Sequence, residues 1–171
     1  DVVVAHDPDC LMESELAFGL LKNTNAKDVL LMHYNYNANS IGMSVMVDGQ
    51  IYFGHRGRAA EIGYTIVGET ADGKPRMLED DIVDSRVSTT EVCNSLGKAM
   101  AVANTLFNPE IIVLQVLECP YSEQLTEAVE HWIRTASYDT SVSLKISKLG
   151  PAAKARGAAM IMINRTIDEM M

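Results

Sequence analysis

A glycine-rich loop around one carboxylate, residues 54–64, has the composition best suited to ligand contact in this chain. Three glycines surround Glu61, and the loop ends in the aromatic residue Tyr64. Glycine permits positive φ angles and close backbone approach, so such a loop brings Glu61 against a small ligand. Alternatively, Glu61 anchors its own loop by accepting hydrogen bonds from backbone N–H groups. The sequence leaves both interpretations open.

A second polar pair, His6 and Asp7, follows a short apolar run that predicts a strand at residues 2–5. A carboxylate at the end of a strand can face a cleft and contact a ligand there. Asp is equally suited to cap the N-terminus of a helix, and a helix is predicted to follow. Asp7 is therefore either a ligand-binding residue or the N-cap of the following helix.

Composition limits the classes of function that remain. The chain has 171 residues, enough for one domain with its own core, and is 47% hydrophobic, too apolar for a disordered segment. A net charge of −9 argues against direct docking on nucleic acid. The three cysteines form no C-x-x-C pair, which predicts reduced thiols in a cytoplasmic protein. No apolar run approaches the roughly 20 residues of a membrane span. Because the chain starts at Asp1, we expect residues 1–171 to be one domain excised from a longer protein.

Hydrophobic patterning in the first half predicts a hairpin meander. A helix should follow residue 9 and end near the polar residues 22–25. Strands are predicted at residues 28–35, 41–47 and 50–53, the last two joined by the turn signal Asp48-Gly49. A short strand is expected at residues 64–67. Residues 68–87 are polar and irregular, which predicts a long surface loop.

The second half predicts alternating helices and strands. Ser88 and Glu91 form a capping-box pattern before a helix that ends at Asn108. The apolar run at residues 110–114 is typical of a strand in a parallel sheet. Ser122 is predicted to cap another helix, residues 142–146 to form a strand, and the segment from residue 151 to form a terminal helix. The sequence therefore predicts an α/β domain with a mixed sheet.

Several segments, in order, resemble the signatures of the ROK family, named for repressors, open reading frames and kinases. VAHDPD at residues 4–9 resembles V-x-N-D-A-N, and ANSIGMSVMVDG at 38–49 resembles G-T-G-x-G-G-G-I-I-x-D-G. GHRGRAAEIGY at 54–64 resembles G-x-x-G-x-A-G-E-I-G-H, and NPEIIVLQV at 108–116 resembles N-P-E-x-I-V-L-G-G. The terminal helix carries the family's G-A-A at 157–159. The resemblance implies the C-terminal lobe of the actin-like, ribonuclease-H-like sugar kinase fold across essentially the whole chain.

The departures from these signatures bear on phosphate and metal binding. The family's phosphate loop is glycine-rich, whereas this chain retains only one of its glycines, Gly42, with other residues at Ala38, Asn39 and Ser40. The later glycine pair is replaced by Gln115 and Val116. Since phosphoryl transfer depends on positioning and stabilising the phosphates, we expect no kinase activity and no cofactor. Tyr64 replaces the family's zinc-binding His, and residues 68–90 contain no Cys or His, so no metal is expected.

The resemblance implies that this chain retains part of the family's sugar-binding site. Glu61 matches the family's sugar-contacting Glu, Asp7 the general base of the kinases, and His6 and Tyr64 replace other sugar-site residues with side chains that still hydrogen-bond. The leading hypothesis is a ligand-sensing, self-associating lobe of a ROK-type transcriptional regulator. It binds a sugar or sugar derivative and reaches DNA only through an upstream domain. The alternatives are a divergent sugar kinase with Asp7 as base, and a structural relative that only oligomerises.

Overall fold

A five-stranded mixed sheet forms the centre of the computed structural model, which describes residues 4–168 and 170. Its strands are β1 (Val29–Asn35), β2 (Ser40–Val47), β3 (Gln50–Ile51), β6 (Ile111–Leu117) and β7 (Ser143–Ile146), with β4 (Ile66–Glu69) and β5 (Pro75–Met77) forming a separate antiparallel pair. The spatial order is β3-β2-β1-β6-β7. The first three strands are antiparallel, and β1, β6 and β7 are parallel. The predicted mixed sheet is confirmed.

Within residues 4–168, five α-helices cover the sheet on both faces. They are α1 (Asp7–Phe18), α2 (Leu78–Val83), α3 (Thr89–Phe107), α4 (Ser122–Ala136) and α5 (Ala153–Asp168). One buried cluster joins the sheet to α2, α3 and α4, and includes Met32, Leu96 and Val129. A second joins the sheet to α1 and α5 and includes Leu31 and Val113. Because strand side chains alternate between faces, successive residues of β1 and β6 pack alternately against the two helix layers.

Local sequence signals account for several element boundaries. Asp48 and Gly49 adopt φ angles of 49° and 78°, as a two-residue hairpin turn requires. Ser88 caps α3: the Glu91 N–H donates to Ser88 Oγ, and the Ser88 N–H donates to Glu91 Oε2 at 3.1 Å. The predicted cap at Ser122 is wrong, since Tyr121 is the N-cap of α4 and makes no side-chain capping bond.

The prediction of a long surface loop at residues 68–87 is wrong. This segment contains the end of β4, all of β5, and α2, whose Leu78 and Ile82 are buried. The run of acidic residues suggested a solvent-exposed loop, but one of them, Asp81, points into the core from α2. Asp81 is 1% exposed, accepts a hydrogen bond from Ser95 Oγ at 2.5 Å and pairs with Arg76 at 3.2 Å. A buried charge needs such partners.

The first predicted strand differs as well. Val2 and Val3 lie outside the described residues, and Val4 and Ala5 are not in a strand. The return strand of the hairpin is shorter than predicted, at Gln50–Ile51. None of the helices in the described part of the chain has the length and apolar character needed to cross a membrane.

Candidate functional site

His6 and Asp7 lie together at a cavity of about 340 Å³ beside the start of α1. His6 is the N-cap residue of this helix, with φ −73° and ψ 135°, and no side chain caps it. Asp7 is therefore not the helix cap; it lies in the first turn, exposed, and faces the cavity. The cavity is completed by residues from β1, β2 and α5: His33, Ser40, Ile41, Gly42 and Lys154.

An ion pair holds the Asp7 carboxylate. Lys154 Nζ, in the first turn of α5, donates to Asp7 Oδ2 at 2.8 Å. The two side chains are 36% and 65% exposed. Exposed pairs of this kind stabilise a fold by only about 0–1 kcal/mol, because water screens them. A ligand hydroxyl can therefore replace the ammonium as the partner of Asp7 without a large loss of stability.

The segment that the resemblance assigns to phosphate binding is divided between a turn and a strand. Ala38 and Asn39 lie in the turn between β1 and β2, where Asn39 has φ 46°. Ser40 and Gly42 belong to β2 and pair with Asn35 and His33 of β1. A Cβ atom at Gly42 would lie 2.5 Å from Cγ of Pro8 in α1. The close packing of α1 on β2 therefore explains this glycine without a phosphate.

Asn39 lines a second cavity, of about 450 Å³, on the α3 side of the sheet. Its walls include Tyr34, Tyr36 and Tyr121, and the hydroxyl oxygens of Tyr34 and Tyr121 are 2.8 Å apart. Burial raises the pKa of both phenols, so both stay protonated at neutral pH. The described lining contains two aspartates and no basic residue. Such a cavity lacks the positive charge that favours a polyphosphate.

The structure places Glu61 and Tyr64 apart from the first cavity. Glu61 lines a smaller, mostly apolar groove of about 190 Å³ against α3, and Tyr64 is 67% exposed in a 3₁₀ turn at Ile62–Tyr64. This turn adjoins the first cavity through Ile41, whose Cγ2 is 3.6 Å from the Cβ position at Gly63. Among the described residues, no hydrogen bond reaches the Glu61 carboxylate, which gives the loop-anchoring alternative no support. Ligand contact by Glu61 and Tyr64 remains a prediction.

Sequence reasoning missed two residues of the first cavity. His33 lies inside an otherwise apolar strand pattern and is 2% exposed. Burial, reinforced by nearby Lys154, lowers its pKa to about 4, so its ring is neutral at pH 7. Lys154 lies three residues before the G-A-A pattern, and only the packing of α5 beside α1 brings it to Asp7. No local sequence signal marks either residue. Within the described part of the chain, no group of three or more His, Cys, Asp or Glu side chains could hold a metal ion.

Solved structures share this arrangement of elements. A ROK hexokinase from Thermus thermophilus aligns over 95% of this chain and 65% of its own, with 18% identity and a TM-score of 0.69. A ROK family transcriptional regulator, a homologue of the E. coli MLC protein, aligns over 92% of this chain and 50% of its own, with 20% identity and a TM-score of 0.71. The chain has the ROK fold. The implied actin-like α/β architecture is thereby confirmed.

The ROK fold is shared by enzymes and regulators. A ROK glucokinase from Streptomyces griseus, solved with glucose and AMPPNP, aligns over 94% of this chain and 67% of its own, with 16% identity and a TM-score of 0.70. The chain thus spans between half and two thirds of the length of these three structures. No protein-family model matches the sequence, and no curated protein matches it either. Identities this low establish the fold and leave the activity open.

Proposed function

We propose that this chain is the ligand-sensing and self-associating lobe of a ROK-type transcriptional regulator, and that it binds a sugar or sugar derivative without phosphorylating it. The main observation behind this proposal is the first cavity, which is lined by His6, Asp7, Ser40 and Lys154. These side chains offer both donors and acceptors to vicinal hydroxyls. In the proposal, Glu61 and Tyr64 contribute from the neighbouring 3₁₀ turn, on the far side of Ile41.

One feature supports binding without phosphoryl transfer. The tyrosine-lined cavity on the other face of the sheet has no basic side chain in its described lining. Phosphoryl transfer relies on positive groups or metal ions around the transferred phosphate.

The regulatory step would be a population shift. A sugar that binds one arrangement of two lobes more tightly than another moves the equilibrium by that difference in affinity. The DNA affinity of an upstream DNA-binding domain would change with this shift. Self-association is supported by exposed apolar side chains at the Glu61 groove: Val102 and Leu106 line it, and Tyr64 and Ile66 flank its lining residue Thr65 in the chain.

A sugar kinase is the second candidate, because Asp7 faces a cavity in a fold that this chain shares with hexokinases and glucokinases. The proposal predicts that a sugar raises the melting temperature of the protein with a concentration dependence of RT ln(1 + [L]/Kd), and that no ADP is released from ATP plus that sugar. Thermal scans and a coupled ADP assay over a panel of hexoses and N-acetylhexosamines measure both quantities.

The variant Asp7→Asn distinguishes the candidates. For a sensor, the substitution weakens sugar binding, since the amide accepts less strongly than the carboxylate and no longer holds Lys154. For a kinase, it abolishes ATP turnover while sparing sugar binding. Asp139→Asn, on an exposed loop away from the cavity, is the control and should leave both readouts unchanged. Sugar-dependent ATP turnover that Asp7→Asn removes would overturn the sensor proposal.

A further inference from the structure

The second cavity, of about 450 Å³, has the size of a small-molecule site and no part in the sugar binding proposed above. Its lining includes residues at or just after the carboxyl ends of β1 and β6, where open α/β sheets bind ligands. Tyr34 lies on the α3 face of β1, whereas its neighbour His33 lines the first cavity on the α1 face. The two cavities are therefore separate, on opposite faces of one sheet.

A pair of phenols in this cavity leaves one hydroxyl proton without an acceptor. The Tyr34 and Tyr121 oxygens are 2.8 Å apart, so one hydroxyl donates to the other. The accepting hydroxyl keeps its own proton, and neither hydroxyl makes another hydrogen bond within the described residues. Tyr34 is 1% exposed, and a buried donor without an acceptor is costly. This proton therefore favours a ligand that places an oxygen in the cavity.

Four exposed polar side chains line the same cavity. Asn37 and Asn39 come from the turn between β1 and β2, Ser85 follows α2, and Thr89 is the first residue of α3. In the part of the chain that the structure describes, none of these four side chains makes a hydrogen bond to the protein. Their amide and hydroxyl groups both donate and accept, which suits a ligand that carries several hydroxyls.

The charges at the second cavity are already matched. Asp81 pairs with Arg76 at 3.2 Å and Asp84 with Arg86 at 2.7 Å, and the described lining contains neither arginine. The N-terminus of α3, which reaches the cavity at Thr89, is occupied by its own capping box. No charge is left to balance that of an anionic or cationic ligand. An uncharged ligand fits this lining best.

The aromatic rings limit the shape of the ligand. Tyr36 is 38% exposed, and its ring centroid lies 5.4 Å from that of Tyr121, with an angle of 85° between the ring planes. Rings at nearly right angles do not form the parallel-walled slot that would clamp a flat heteroaromatic base. They do present an apolar surface, against which the C–H groups on one face of a sugar ring can pack.

We propose that the second cavity binds an uncharged mono- or disaccharide, independently of the sugar proposed for the first cavity. One face of the sugar ring packs against Tyr36. A sugar oxygen accepts the remaining proton of the Tyr34–Tyr121 pair, and the hydroxyls at the rim of the ring bond to Asn37 and Asn39. The saccharide thereby supplies the partners that the protein itself does not.

Tyrosine-selective ¹³C NMR of the full chain tests this site, because the described lining of the first cavity contains no tyrosine. Signals are assigned with single Tyr→Phe variants. The probes are glucose, N-acetylglucosamine, maltose and chitobiose, and calorimetry measures their affinities. At least one saccharide should move the ring signals of Tyr36 and Tyr121 and leave those of Tyr52 in place. Adenosine, which carries a flat base, should move neither Tyr36 nor Tyr121.

Side-chain variants test the contacts. Tyr36→Ala removes the packing surface and should weaken binding of that saccharide about tenfold, and Asn37→Ala should give a smaller loss. Tyr52→Ala is the matched control, since Tyr52 is an exposed tyrosine outside the described lining of both cavities. It should bind as the wild type does. Circular dichroism confirms folding, and if Tyr36→Ala does not fold, the response of the wild-type rings decides.

The outcomes separate this inference from the proposed function. Saccharide binding that Asp7→Asn weakens, with unmoved Tyr36 and Tyr121 signals at saturation, would overturn the inference and leave the first site standing. An unchanged affinity in folded Tyr36→Ala would also overturn it, as would movement of the two rings with adenosine and with none of the saccharides. No binding by any saccharide of the panel would count against both.

Discussion

Replacing Gly157 by alanine should destabilise the fold by about 3 kcal/mol or more, the upper end of overpacking effects. A Cβ atom at this position would lie 1.5 Å from the Cys10 carbonyl oxygen of α1 and 2.4 Å from its carbonyl carbon. Both are backbone atoms, so no side-chain rotation relieves the clash. Helices α1 and α5 would have to separate, which would open the core cluster beneath them that includes Leu31 and Val113.

Chemical denaturation of Gly157→Ala, followed by circular dichroism, measures this loss. Gly150→Ala is the matched control, since a Cβ there meets nothing within 4 Å and Gly150 has no positive φ. It should stay within about 0.5 kcal/mol of the wild type, as surface substitutions usually do. Equal stabilities for the two variants would show that α1 and α5 do not cross as closely as described.

Acidification from pH 6.5 to pH 4 should remove about 3 kcal/mol of stability through His33 alone. Burial lowers the pKa of this side chain from 6.5 to about 4 in the folded state. Between these values the unfolded chain binds a proton that the folded chain does not, so the free energy of unfolding falls as the pH falls. Well above pH 6.5 the side chain is neutral in both states, and the contribution is constant. The magnitude follows from about 1.4 kcal/mol for each unit of pKa difference.

Denaturation curves of the wild type and His33→Phe between pH 7.5 and 4 isolate this effect. Their difference in unfolding free energy should change with pH in that window, because other titrating groups are common to both proteins. Two of these, Asp9 and Glu13, have pKa values raised by burial, and their protonation favours the folded state as the pH falls. Parallel pH profiles for the two proteins would show that His33 is already protonated or solvated in the fold.

The sequence predicted the sheet better than the site. Alternating and continuous apolar runs identified β1, β2, β6 and β7, because burial on one or both faces leaves a pattern along each strand. The prediction of a surface loop at residues 68–87 failed because its acidic residues suggested exposure to solvent. One of them, Asp81, is instead buried against Arg76 and Ser95. That pairing depends on how β5, α2 and α3 pack together, and the pattern of residue types in the segment does not reveal it.

The same limit applies to the candidate site. His6 and Asp7 are adjacent in sequence, so their shared position before the predicted helix could be anticipated. Lys154 is 147 residues from Asp7, and only the crossing of α1 and α5 at Gly157 brings them together. His33 is one polar residue in an apolar strand, which is more often a core residue than a ligand contact. Its burial beside the first cavity emerges only from the folded structure.

The exposed pair between Asp7 and Lys154 has a consequence for ionic strength. Dissolved salt screens two solvent-exposed charges and leaves the hydrogen bonds of an uncharged hydroxyl almost unaffected. A neutral sugar that must displace Lys154 from Asp7 would therefore bind somewhat more tightly as salt concentration rises. Charged ligands held by surface ion pairs follow the opposite trend. A lobe built in this way would keep its response to a neutral effector when the cell accumulates salt.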